Sequence, residues 1–326
     1  MDFDLDETQR GWRARGTELG RALAGSPDPA LVVPAAARAG LFDADVLLAA
    51  QAVAIEALGR ESSAAGMVAA LHAAAAGVMP GDEGNALRSA DHVGALALSA
   101  DEVPDLREGR LTGRAAWVAP ITPHGIAVLG ARASDGTVTA CAVRLDTPGV
   151  AVEPIGTAGL RGLLCADLTL DGAASVSVGA AIPVMTRARI LVSAAGLGIG
   201  RRALAEALGA AKRDRSAAAW EQTVQGLLAD AATDLDAAAL LLWKAAIDPT
   251  PTLGAASMAK LAVSLAAHRA VTHATQVIGA DSFRQGHVVE VLTQDVRAFE
   301  LFAGRTESLR DAIAVEILPG DRSGTG

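Results

Sequence analysis

Residues 185–317 read as a succession of long helices rich in Ala and Leu, with apolar residues recurring at the helical period. That block limits the possible folds more than any other stretch. Small side chains let helix axes approach closely. Aromatic residues make up only 3% of the sequence and Tyr is absent, so the core must be packed from Ala, Leu and Val. Residues 255–279 are nearly all apolar, which predicts a helix sunk in an oligomer core rather than one with a face in water.

The rest of the chain has a different texture. Residues 5–24 form a polar, Arg-rich amphipathic pattern, and SPDPA at 26–30 breaks it and supplies a cap. Further helices are expected over 30–39, from near Asp43 through Glu56, and over 66–76, ending at the Gly/Pro-rich GVMPGDEGN. Then come runs of strand length, 93–99, 125–132, 138–145 and 165–172, separated by turn signals such as SDG and LDG. No long helix intervenes, which predicts an antiparallel β-domain rather than βαβ units. The expected organisation is an α+β, mostly α chain. It has an N-terminal helical domain over 1–85, a middle antiparallel β-domain over 86–182, a C-terminal helical bundle over 183–318 and a flexible tail over 319–326.

The net charge of −9 argues against a nucleic-acid partner, which needs a concentrated basic face. Two cysteines, Cys141 and Cys165, are too few for a disulfide framework or a metal cage, and they suit buried free thiols in a reducing cytoplasm. The acidic N-terminus has no apolar signal region, and charged residues interrupt the apolar runs, so neither secretion nor a membrane span is expected. The histidines at 72, 92 and 124 stand alone in sequence, and no metal site is expected. The glycines at 196, 198 and 200 do not give G-x-G-x-x-G, and no second strand follows. A helix crossing explains them better than a dinucleotide turn.

Several segments, in order, resemble the acyl-CoA dehydrogenase family: LTGRAAWV (111–118), DTPGVAVEPIG (146–156), LVSAAGLGIGRRALAEAL (191–208), EQTVQGLLAD (221–230), QVIGADSF (276–283) and FAGRTESLR (302–310). The resemblance covers nearly the whole chain. It implies N-terminal helices, a middle β-domain and a C-terminal bundle, an FAD cofactor, an acyl-CoA thioester as substrate, and an oligomer. Such enzymes need a carboxylate to take the α-proton and a flavin to receive the β-hydride.

The resemblance also locates what is missing. Of the family's two usual positions for the base, one falls on Ala303 and the other on Ala188, and an alanine cannot move a proton. Glu300 and Glu307 are the remaining acidic candidates, with Asp295 and His287 on the same segment, although each also reads as an ordinary helix residue. For the cofactor, the resemblance points to Trp117, Arg213, Arg215, Gln276, Gly279, Gly304 and Glu307. Trp117 also reads as a strand aromatic packed on a helix, Gln276 as a helix end, and Arg213 and Arg215 as partners of a helix C-terminus. The family's Gln-x-x-Gly-Gly-x-Gly keeps only Gln276 and Gly279, and its Phe-Gly is absent from KRDRSA at 212–217.

Three functions follow. The resemblance first implies a base-lacking subunit of a heteromeric acyl-CoA dehydrogenase, sharing FAD with a second chain of the same family and suited to a bulky thioester such as one with a steroid side chain. Alternatively the chain is a self-sufficient flavoenzyme with a relocated base, or a thioester-binding homo-oligomer that has lost FAD.

Overall fold

The carboxylate of Asp6 accepts from the backbone N–H of Gln9 at 2.7 Å while Gln9 Oε1 accepts from Asp6 N–H at 3.1 Å. This reciprocal cap starts the first helix, α1 (Glu7–Leu23). The structure, a computed structural model, describes residues 5–98, 103–213 and 221–318, so the expected tail and Arg215 lie outside the described residues. In α2 (Pro29–Arg38), Asp28 caps the helix and Pro29 occupies the first turn, where its missing N–H costs nothing. The next helix, α3 (Leu48–Glu61), begins later than the sequence reading from Asp43, because Val46 N–H closes a turn on the Asp43 carbonyl. Only Ser62, in an extended conformation, separates it from α4 (Ser63–Ala76), every residue of which is buried. The stretch read as a Gly/Pro stop contains a further helix, α5 (Gly81–Arg88), with Asp82 and Glu83 in its first turn, where the helix dipole favours them.

Eight strands follow: β1 (Gly94–Ala97), β2 (Asp105–Arg107), β3 (Arg110–Val118), β4 (Ile126–Arg132), β5 (Val138–Arg144), β6 (Val150–Ile155), β7 (Cys165–Ala174) and β8 (Val176–Ala180). They form one sheet in the order β6-β7-β3-β2-β4-β5-β8, with β1 also paired to β4. Antiparallel pairing dominates, but β1 and β2 run parallel to β4, so the sheet is mixed rather than wholly antiparallel. The chain leaves β1, makes the β2–β3 hairpin and re-enters β4 in its original direction. Alternate residues serve different cores, as the two-residue period of a strand requires. Ile126 and Val128 join the helical core, whereas Ala127 and Leu129 pack with Leu111, Val143 and Leu168 on the other face.

His72 joins these parts. The N–H of Gly94, at the start of β1, donates to His72 Nδ1 at 2.8 Å, which leaves Nε2 to donate to the Leu87 carbonyl of α5 at 3.0 Å. The ring is therefore neutral, and burial pushes its pKa down to about 4. Far from standing alone, His92 and His124 meet in a surface network with Arg144 and Asp146. Among the described residues no cluster of metal-ligating side chains occurs.

The C-terminal helices are α6 (Ala181–Arg213), α7 (Gln222–Ile247), α8 (Leu253–Ile278), α9 (Val288–Leu301) and α10 (Thr306–Ile317). By length and composition α6 could cross a membrane, but 78% of its most apolar window is buried inside the fold, as in a core helix. Its glycines confirm the helix-crossing reading. A Cβ on Gly198 would meet the Glu56 carbonyl of α3, and one on Gly200 would lie 3.0 Å from the Cα of Ala267 in α8. The apolar character of α8 is used within the chain, because α6, α7, α9 and α10 surround it. Leu265 alone among its large hydrophobic residues is exposed.

Candidate active site

The C-terminal end of α9 and the turn after it form the most tightly determined polar structure of the bundle. Phe299 is fully buried, with its ring in the gap left by Gly196 of α6. Phe302 N–H then returns to the Phe299 carbonyl at 3.2 Å. Ala303 lies at φ +59 and Gly304 at φ +114, conformations that L-side chains rarely adopt, so this turn has to be held from outside. Arg189 holds it: its Nε donates to the Ala303 carbonyl at 3.0 Å and its Nη1 to Ser257 Oγ of α8 at 2.6 Å. Burial lowers the Arg189 pKa to about 10, which leaves the guanidinium charged at neutral pH. Across the turn, Thr306 Oγ1 donates to Glu300 Oε1 at 2.8 Å.

The two positions implied for a base differ in setting but share a methyl side chain. Ala303 lies at the apex of the turn, half-buried, and Ala188 is fully buried in α6. The acidic alternatives are engaged elsewhere. Glu300 is held by Thr306. Glu307 is exposed in the first turn of α10, where the helix dipole favours it. Asp295 accepts the Leu160 N–H at 2.6 Å and so pins the segment before β7 to α9, with burial raising its pKa. His287 caps α9 by accepting from Val289 N–H at 3.2 Å.

The residues implied for the cofactor fall into two groups. Contacts of Arg189 with Ser257, and of Gly200 with Ala267, make α6 and α8 parallel. At 1.5 Å per residue, Gln276 lies roughly 28 Å beyond Ser257 along α8. Arg213 and Gln276 are exposed at that far end, where Gly279 (φ +71) terminates α8. Gly304 and Glu307 are at the near end, beside Ala303. Trp117 is separate from both, on the last turn of a bulged β3. It sits at φ +56 with 46% of its surface exposed, so it is not simply packed beneath a helix.

A flavin needs a flat apolar platform and hydrogen-bond donors along its polar edge. Trp117 supplies a platform. Side-chain donors are lacking just after it: Val118, Ala119, Pro120 and Ile121 have no polar side chain, while Trp117 N–H donates to Asp167 Oδ1 at 3.0 Å and Ile121 N–H to the Leu164 carbonyl at 2.8 Å.

Comparison with known proteins follows the same lines. Residues 178–318 match the family model described as acyl-CoA dehydrogenase, C-terminal domain. The human mitochondrial short-chain specific acyl-CoA dehydrogenase is 29% identical over 234 residues, covering 65% of this chain and 57% of that protein. The chain therefore carries an acyl-CoA dehydrogenase C-terminal domain over residues 178–318. A 3-sulfinopropanoyl-CoA desulfinase of Paraburkholderia xenovorans is 29% identical over 191 residues, 53% of this chain and 49% of that protein. The chain thus spans about half the length of the curated relatives it matches. The structure of butyryl-CoA dehydrogenase from Megasphaera elsdenii superposes with a TM-score of 0.85 at 18% identity, covering 98% of this chain and 100% of that one. The acyl-CoA dehydrogenase fold is therefore present throughout, including the turn in which Ala303 stands.

Two residues of the site were not singled out from sequence. Arg189 follows an expected base position but reads as a surface charge on a helix. Lys260 is fully buried beside Phe299 and Ser264, and its only sequence signal is a lysine in an otherwise Ala- and Ser-rich helix.

Proposed function

We propose that this chain is a base-lacking subunit of a heteromeric acyl-CoA dehydrogenase, in which a second chain of the family supplies the proton-abstracting carboxylate. The observation that carries this reading is the division of the site. At the near end of the bundle the turn bears Ala303, and Ala188 is buried in α6 next to Arg189, which holds that turn. At the far end Arg213 and Gln276 are exposed, beside the half-buried Gly279, and face away from this chain's core toward another subunit. Solved chains of the same fold hold FAD, which when bound accepts the hydride from the β-carbon of the thioester. Here the flavin is shared: the partner contributes the edge donors that β3 lacks, and this chain contributes the cation and amide at the far end of the bundle.

The roles of its own residues follow from charge and geometry. Arg213 balances an anionic group, Gln276 donates and accepts through its amide, and Gly279 leaves the backbone open to close approach. Arg189 and Thr306 keep the baseless turn in place. An acyl-CoA thioester is the substrate of the assembled enzyme, and a bulky acyl group suits a turn with only a methyl at its apex. Cys141 and Cys165, both free and buried with pKa values raised by burial, suit a reducing cytoplasm.

The test is flavin retention by the co-expressed two-chain complex after gel filtration. Gln276→Ala and Arg213→Ala are each expected to weaken retention about tenfold, the loss of one charge-assisted hydrogen bond. Unchanged retention in both variants contradicts the shared site.

A further inference from the structure

Only three of the chain's 28 basic residues are lysine. Lys212 and Lys244 are exposed, whereas Lys260 has no exposed surface. A chain that builds nearly all of its positive charge from arginine keeps an amine at its most deeply buried cation. The difference matters chemically, because a guanidinium stays protonated in proteins while a buried amine can give up its proton.

The setting of that amine is specific. Lys260 Nζ donates to Ser264 Oγ at 3.0 Å, lies 3.9 Å from the centroid of the Phe299 ring and approaches the Phe299 carbonyl at 3.5 Å. That carbonyl also receives Phe302 N–H, the bond that begins the turn, and the ring is the one that fills the gap at Gly196. Among the described residues two charges act on Lys260. Glu300 of α9 favours the ammonium, and Arg189 of α6 opposes it. Each also holds the turn, Glu300 through Thr306 of α10 and Arg189 through the Ala303 carbonyl.

We propose that Lys260 is the positioning residue of the turn Phe302–Gly304, seating it when protonated and loosening it when neutral. As an ammonium it is drawn to the Phe299 ring and carbonyl and attracted by the Glu300 carboxylate, so the last turn of α9 is clamped. As a neutral amine it keeps the Ser264 contact but loses the attraction of ring and carboxylate. Burial brings its pKa down to about 7, so the exchange falls near neutral pH. The proposal does not depend on flavin or on a partner chain.

Full-length protein labelled with 13C at lysine Cε gives three signals. That of Lys260 is expected to titrate near 7, with the Ala303 and Gly304 amide shifts following its midpoint. Glu300→Gln should lower that midpoint by about one unit by removing the attracting charge. Lys260→Arg should fix the turn's amide shifts across neutral pH. A Lys260 signal with no midpoint near 7 would overturn the proposal, as would a midpoint near 7 to which the Ala303 and Gly304 amides do not respond. The wild-type titration reads the answer even where a variant fails to fold.

Discussion

Phe299 ties the site to the core, because one ring fills the gap at Gly196, faces Lys260 and carries the carbonyl on which the turn begins. Phe299→Ala leaves a cavity and strips the buried amine of its ring, and it is expected to cost about 3–5 kcal/mol in denaturant unfolding. A loss below about 1 kcal/mol would mean that the neighbouring helices collapse into the space. Glu56 gives a second residue-level test. It is paired with Arg201 at 2.8 Å, its Oε2 has no hydrogen-bond partner, and burial raises its pKa above 4.5. Just above 4.5 the native state holds a proton that the unfolded chain has released, so stability is lost as pH rises through the folded pKa. Glu56→Gln should remove that decline from the stability–pH curve. That Ala303 and Ala188 stand where the resemblance implies a base was legible from sequence, because the identity of a residue at a motif position needs no geometry. Lys260 was not, since burial of one amine depends on how four helices close around it.

At the scale of elements, α6 is held by glycines at its crossings with α3 and α8. Gly198→Ala drives a methyl into the Glu56 carbonyl and is expected to destabilise by about 1–3 kcal/mol, seen as a lowered thermal midpoint. His72 makes the junction of α4, α5 and β1 sensitive to acid. Between about pH 6.5 and 4 the unfolded chain binds a proton that the native ring refuses, so stability falls as pH drops through that window. The expected loss is about 3 kcal/mol. A thermal midpoint indifferent to pH over that range would contradict the neutral, doubly bonded ring. The order of helices, strands and helices was readable from hydrophobic period and turn residues. The helix α5 and the strand β2 were not, because Gly and Pro mark the edge of α5 and β2 has only three residues. The parallel pairing of β1 with β4 is equally invisible locally, since register across a sheet depends on where distant strands meet.

For the whole molecule, the proposal rests on two groups of residues set apart within an acyl-CoA dehydrogenase fold. The far end of the bundle exposes Arg213 and Gln276, roughly 28 Å along α8 from the contact that holds the turn at Ala303. Sequence resemblance identified both groups of residues but could not separate them, since the distance arises only from the parallel course of α6 and α8. The measurement that tests the central claim most directly is the visible absorption spectrum of this chain purified alone and after co-expression with a second acyl-CoA dehydrogenase chain. The account predicts no flavin band alone and a band in the co-purified complex. A stoichiometric flavin band in the chain alone, bleached by an acyl-CoA, would contradict it.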